Sequence, residues 1–165
     1  MASIASSAAG APPLRLVCFE LHAQELALPI GEVRETLPLV PITHVVLTPA
    51  CLAGVFSLRG DIVPALDLGV LLGMGATDIG DDSRIVVVGH ATGTVGIVVD
   101  RLRDLRTIEA DSVEPPPTSL PPSLQALLVG VAATPTGSVR ILDANAILNA
   151  EPLQALRAHD EGRSA

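Results

Sequence analysis

The chain contains no lysine, no tryptophan and no tyrosine, and Phe19 and Phe56 are its only phenyl side chains. Without lysine there is no phosphate-loop lysine, no Schiff-base lysine and no kinase lysine. A formal net charge of −8 with aromatics at 1% leaves neither a basic footprint nor a stacking platform, which excludes nucleic acid as a partner. The two cysteines, Cys18 and Cys51, form no C-x-x-C and are too few for a disulfide framework, so zinc-ribbon and thioredoxin-like readings fail. Both stand in apolar runs and read as buried free thiols. Charged residues make up only 17% of the chain, against about 25% in an ordinary domain. The stretches Thr36–Leu58 and Pro115–Val139 carry no Asp, Glu or Arg, yet prolines interrupt both, so neither can form an unbroken spanning helix. Met1–Pro13 lacks the basic start and long apolar stretch of a signal peptide and reads as a disordered tail. These features predict a soluble, cytoplasmic protein without direct membrane insertion.

What is present is aliphatic. The 165 residues are 48% hydrophobic, enough for a sizeable core that Leu, Val, Ile and Ala must fill. Period-two patterning predicts strands at Leu14–Leu21 and Glu25–Pro29 around a turn at His22–Ala23, with one helical turn at Ile30–Arg34. Gly54–Leu58 and Ile62–Leu66 read as a hairpin about Gly60–Asp61. Asp67 starts a short helix through Leu72, since a carboxylate there accepts from free helical N–H groups. Gly69–Asp82 is a loop. Arg84–Val88, Thr94–Val99 and Leu102–Ile108 are strands, and Glu114–Pro122 is a proline-rich connector. Val129–Ala133 and Ser138–Leu142 form a further hairpin, Asp143–Asn149 a short helix, and Pro152–Ala158 a C-terminal helix before a frayed end.

One regularity orders these elements. Gly54-Val55, Val63, Leu66-Asp67 and Leu71-Leu72 recur as Gly130-Val131, Val139, Leu142-Asp143 and Ile147-Leu148, each 76 positions later. This predicts two homologous β-rich units, about 14–80 and 83–150, flanked by tails at 1–13 and 151–165. Many short strands with frequent turn residues fit small barrels better than an alternating α/β sheet.

Catalytic and metal constellations are not found. His22, His44, His90 and His159 lack the i, i+4 spacing of a helical metal pair. Ser57 lies in no G-x-S-x-G elbow. Asp78, Asp81 and Asp82 miss calcium-loop spacing and read as a solvated loop. Gly69, Gly73 and Gly75 do not make a dinucleotide fingerprint. Arg59-Gly60-Asp61 spells an adhesion tripeptide but reads as a hairpin turn. Asp100, Arg101, Arg103, Asp104 and Arg106 alternate in sign, as a solvated strand edge or a charged rim beside a binding groove would. No cofactor is implied. A small-ligand-binding β-barrel using the Asp78–Asp82 loop is the alternative from another functional class.

Gly54 to Leu68 (GVFSLRGDIVPALDL) closely resembles the G-V-x-N-L-R-G-x-I-V-P-V-x-D-L signature of the CheW-like chemotaxis coupling protein family. Thr94 to Asp100 (TVGIVVD) resembles its second signature, V-G-[IL]-V-V-D. Asp104, the proline-rich connector, Leu128 to Val131 and Ile141 to Asp143 follow in the family order. The resemblance implies an all-β fold of two five-stranded SH3-like barrel subdomains with short helices, and no catalytic activity. It implies an adaptor coupling the cytoplasmic tips of methyl-accepting chemoreceptors to the regulatory domain of a CheA-type histidine kinase, recruited to arrays at the inner membrane. A parallel chemosensory pathway, for pili or gliding, is the alternative within the family. Carried over position by position, Val33, Glu35, Arg59 and Leu105 fall on the receptor groove, with Glu35 and Arg59 placed to pair. Ile42, Val45 and Leu47 fall on the kinase surface. The chain departs from the family where Ser57 replaces the usual Asn. It departs again at Glu114 and Ser119, which stand where many members have a basic residue and an aromatic that close kinase–adaptor rings.

Overall fold

The computed structural model describes residues 11–90, 93–135 and 137–150. The expected C-terminal helix at Pro152–Ala158 and most of the N-terminal tail lie outside the described residues. Ten strands divide between two five-stranded sheets. The strands are β1 (Leu14–Leu21), β2 (Gln24–Pro29), β3 (Val33–Pro38), β4 (Leu52–Leu58), β5 (Asp61–Asp67), β6 (Arg84–His90), β7 (Gly93–Val99), β8 (Arg101–Ile108), β9 (Leu128–Thr134) and β10 (Gly137–Leu142). Among the described residues three short helices accompany them: α1 (Leu68–Leu71), α2 (Pro122–Gln125) and α3 (Ala144–Leu148). No helix among the described residues is long and apolar enough to cross a membrane.

The repeat is real in three dimensions, but it does not make one sheet per half. The first sheet runs β8-β1-β2-β10-β9 and the second β3-β6-β7-β5-β4. Each sheet takes two neighbouring strands from one half of the chain and three from the other, so the division at 14–80 and 83–150 does not describe how the sheets are composed. Two parallel pairings carry the exchange, β10 with β2 and β5 with β7. The reason is burial. One face of each sheet packs on its own small cluster, Leu16, Cys18, Ala27, Ala132, Val139 and Ile141 in the first, Phe56, Val63, Ala65, Ile85, Val87 and Val98 in the second. The opposite faces meet in the largest cluster, where Phe19, Leu21, Leu26 and Leu28 pack with Val86, Val88, Ile97 and Val99 and with Leu68 and Ile147 from the helices. A unit standing alone would leave that second face in water.

Equivalent residues make equivalent bonds in the two sheets. The Asp67 carboxylate accepts from the Val70 N–H (3.3 Å) at the start of α1, and Asp143 accepts from Ala146 (3.1 Å) at the start of α3. The Asp67 N–H donates to the Cys51 carbonyl (2.7 Å), and that of Asp143 to Leu127 (2.9 Å). After β3 the chain returns to pair Thr43 with Val55 on β4; after β8 it returns to pair Glu114 with Val131 on β9. The continuation of one edge strand therefore binds the opposite edge, which curls each sheet into the SH3-like form. Gly54 and Gly130 sit at these seams. A Cβ on Gly54 would lie 2.2 Å from the Thr43 carbonyl oxygen, and one on Gly130 2.3 Å from that of Glu114. That close approach is why Gly-Val recurs.

Two local expectations are corrected. The helical turn at Ile30–Arg34 is a single 3-10 turn, Ile30–Glu32, after which the chain extends at once into β3, a strand the sequence reading did not contain. The β4–β5 turn is centred on Arg59–Gly60 instead of Gly60–Asp61, with φ of +51° and +89°. Both central residues in the left-handed region make the two-residue hairpin turn whose twist suits the strands.

Candidate interaction surfaces

The first candidate surface starts at that turn. Left-handed backbone at Arg59 sends its side chain across to Glu35 on β3, where Nη2 donates to Oε1 (2.9 Å) and Nη1 to Oε2. β3 is one edge of the second sheet and the β4–β5 hairpin forms the other. In a flat sheet the two edges would stand about 19 Å apart, four strand spacings. The bidentate pair is thus a clasp across the open end of a curled sheet. Arg59 is exposed and Glu35 is partly covered, so the clasp serves geometry more than stability. Hydrogen bonding from Arg59 holds the Glu35 carboxyl below the usual carboxylate range, partly opposed by desolvation. A carboxyl depressed in the folded state keeps its pair above the ordinary value and loses it as pH falls through the folded one, so the clasp should open only at pH below the ordinary glutamate range. An NMR titration of Glu35 is expected to show a midpoint below that of a free glutamate, returning to the ordinary range in Arg59→Ala. The same midpoint in both proteins would show that the clasp does not form in solution.

Val33 begins β3, pairs with Val88 and packs on the inter-sheet cluster. Leu105 lies on the other sheet, on edge strand β8 opposite Val17, and is 64% exposed. The register shift opposite Cys18 sets Leu102 against Phe19 and Leu105 against Val17, so both leucines take the inter-sheet face. Glu35 and Arg59 thus come together, whereas the bulge that sets Val33 against Val88 and Glu35 against Val87 turns Val33 to the inter-sheet face, which Leu105 reaches from the opposite sheet. Ile62, missed in the sequence, is 69% exposed on β5 next to the turn. Period two would have found it, because inward Val63 and Ala65 require an outward Ile62.

The second candidate surface lies at the other end of β4, about 20 Å away along a seven-residue strand. Ile42 is half-buried against the interior cluster of the second sheet. Val45 is half-buried, and its carbonyl accepts from the Thr48 hydroxyl (2.7 Å). Leu47 is fully exposed with φ of +63°, and Val46, missed in the sequence, is 72% exposed. A bulky residue in the left-handed region with its whole side chain in water pays both backbone strain and apolar exposure, a combination found at binding sites. Glu114 and Ser119 are both exposed.

A third cluster was not visible in the sequence. Arg106 does not belong to a solvated edge. Its side chain is 22% exposed and lies 3.2 Å from Glu25, itself 13% exposed, and 3.7 Å from Asp104. Cys18 stands beside them, its thiol pushed up to about 11 mainly by burial. Possible ligand atoms of Cys18, Glu25 and Asp104 lie within 4.8 Å of one another. The Arg106 guanidinium already supplies positive charge there, and a neutral, buried thiol is a poor ligand.

A family model described as CheW-like domain matches residues 15–152. Chemotaxis protein CheW of Bacillus subtilis (strain 168) is 25% identical over 141 residues, 86% of this chain and 90% of the relative. Protein FrzA of Myxococcus xanthus is 32% identical over 113 residues, 68% of this chain and 71% of the relative. The crystal structure of the scaffolding protein TtCheW from Thermoanaerobacter tengcongensis superimposes with a TM-score of 0.73 at 32% identity, covering 79% of this chain and 84% of that one. With two signatures, a doubled five-stranded fold and a match across nearly all the described residues, the chain belongs to the CheW-like domain family.

Proposed function

We propose that this chemotaxis coupling adaptor joins the cytoplasmic tip of methyl-accepting chemoreceptors to the regulatory domain of a CheA-type histidine kinase. It acts by binding two proteins, without catalysis of its own, in the cytoplasm at receptor arrays on the inner membrane. The receptor tip, a helical hairpin, seats between the sheets against Val33, Ile62 and Leu105, with the Arg59–Glu35 clasp fixing one wall. The kinase domain seats on Val45, Val46 and Leu47, with Ile42 supporting that loop from within.

The observation that carries this reading is the separation of the clasp from the exposed Val46–Leu47 turn at opposite ends of β4. Two partners can be held there without competing. Calorimetry with each cognate partner tests it. Leu47→Asp is expected to weaken kinase-domain binding at least tenfold, because desolvating a carboxylate in an apolar contact costs more than about 1.4 kcal/mol, and to leave receptor binding alone. Arg59→Glu is expected to do the reverse. Equal loss of both partners in either variant, or loss of neither, would overturn the assignment.

A further inference from the structure

The alternating rim on β8 is not uniform once its partners are known. Arg103 Nη1 donates to Glu20 (2.6 Å), and Arg106 is held by Glu25. Two rim arginines are thereby spoken for. Arg101 approaches Asp82 only to 3.7 Å, too far for a hydrogen bond. Arg84, at the start of β6, donates from Nη1 to the main-chain carbonyls of Ser83 (2.8 Å) and Asp81 (3.1 Å), which orients the guanidinium without neutralising it. Arg84, Arg101 and Arg103, together with Asp82 and Leu102, line one concavity of about 300 Å³. With Arg103 already paired to Glu20, Arg84 and Arg101 are left to face the single carboxylate of Asp82 there, on a protein whose net charge is −8.

We propose that this concavity takes an acidic segment of the protein that seats on Leu105, and that Arg84 and Arg101 steer its approach. The proposal rests on the receptor reading above and adds the partner's charge. Charge complementarity carries it: a net charge of −8 repels an acidic partner from the protein as a whole, so a local positive lining favours where such a segment can land. Continuity supports it, because Leu102 lines the concavity and shares a face with Leu105 three residues along β8. A site that runs from guanidinium groups onto an apolar strand face suits a polypeptide better than a free anion. Arg103 and Arg106 take no part in steering, since their charge is already answered by carboxylates.

Stopped-flow association of the full chain with the cognate receptor-tip fragment, at NaCl from about 50 to 500 mM, tests the proposal. The wild-type association rate is expected to fall about tenfold over that range. The pair Arg84→Gln and Arg101→Gln should start about fivefold slower at low salt, lose most of the salt dependence, and change the dissociation rate by less than about twofold. Arg101→Glu alone, which leaves the main-chain bonds of Arg84 intact, should slow association further. A double variant with the wild-type rate and salt slope overturns the proposal. So does inorganic phosphate that competes beyond its ionic strength, which would make the site one for free oxyanions. Leu105→Asp separates the two readings. If it binds as well as wild type, the receptor groove itself is wrong; if it fails to bind while the arginine variants behave as wild type, only the steering proposal falls.

Discussion

Replacing Arg106 with alanine is expected to lower the unfolding free energy by about 3 kcal/mol, measured by urea denaturation at neutral pH. The register explains the size of the effect. Arg106 faces Leu16 on β1 in the first sheet as Leu37 faces Ile85 on β6 in the second. Leu37 packs against the interior cluster of its own sheet. Where the second sheet has an apolar plug, the first has an ion pair, with Glu25 13% exposed. Removing the guanidinium leaves that carboxylate uncompensated beside Cys18 and Asp104, and the desolvation cost already incurred is no longer offset. The residual exposure of both side chains keeps the loss at the lower end for buried pairs. Arg106→Leu combined with Glu25→Gln restores the second sheet's solution and should recover at least half of the loss. A double variant as unstable as Arg106→Ala would show that packing of the arginine stem, and not its charge, holds the site.

Gly130→Ala is expected to cost about 3 kcal/mol as well, a fall of about 6–12 °C in Tm for a chain of this size. The added methyl would sit 2.3 Å from the Glu114 carbonyl oxygen and 2.6 Å from a Val113 methyl. The first neighbour is backbone, so the seam itself must open. Opening it strains two main-chain bonds, Glu114 N–H to the Val131 carbonyl and Val131 N–H to the Glu114 carbonyl, both 2.8 Å. Each is worth about 1 kcal/mol, and overpacking adds about 1–3 more. Gly54→Ala meets the same obstacle at Thr43 and should cost a similar amount. It should also disturb kinase binding, because the strand it displaces leads directly into Val45–Leu47. Gly130→Ala, at the seam of the other sheet, should spare kinase binding in whatever fraction remains folded. Alanine tolerated at either seam within about 1 kcal/mol would contradict the account of why the Gly-Val pair repeats.

Local chemistry was legible in the sequence and long-range pairing was not. The hairpins, the Asp67 and Asp143 caps and the 76-residue repeat follow from turn residues, period two and the need of helix N-termini for acceptors, and all appear in the fold. Strand β3 went unread because Ile30–Arg34 begins with a genuine 3-10 turn and its glutamates suit a helix as well as an edge strand. The exchange of strands between sheets was hidden for a different reason. Periodicity reports which face of a strand is buried, never which distant strand it joins, and β2 meets β10 across more than a hundred residues. The Glu35–Arg59 pairing, anticipated from the resemblance, is present as a bidentate clasp. Val46 and Ile62 look like core in a list of residue types; period two along β5 turns Ile62 outward, whereas the exposure of Val46 follows from the turn in which Leu47 takes a positive φ. The half-buried, paired state of Arg106 was likewise invisible, because a rim arginine and one turned into the curl of the sheet read alike until the register of β8 is known.

The proposed coupling requires one small protein to hold two others at once, on separate surfaces. Sedimentation velocity of the full chain with the receptor-tip fragment and the kinase regulatory domain together tests it most directly. A species heavier than either binary complex and containing all three proteins is expected, reduced by Arg59→Glu through loss of the receptor fragment and by Leu47→Asp through loss of the kinase domain. If instead the kinase domain displaces the receptor fragment, so that only binary complexes form at any ratio, the two surfaces are one and the coupling mechanism described here is wrong.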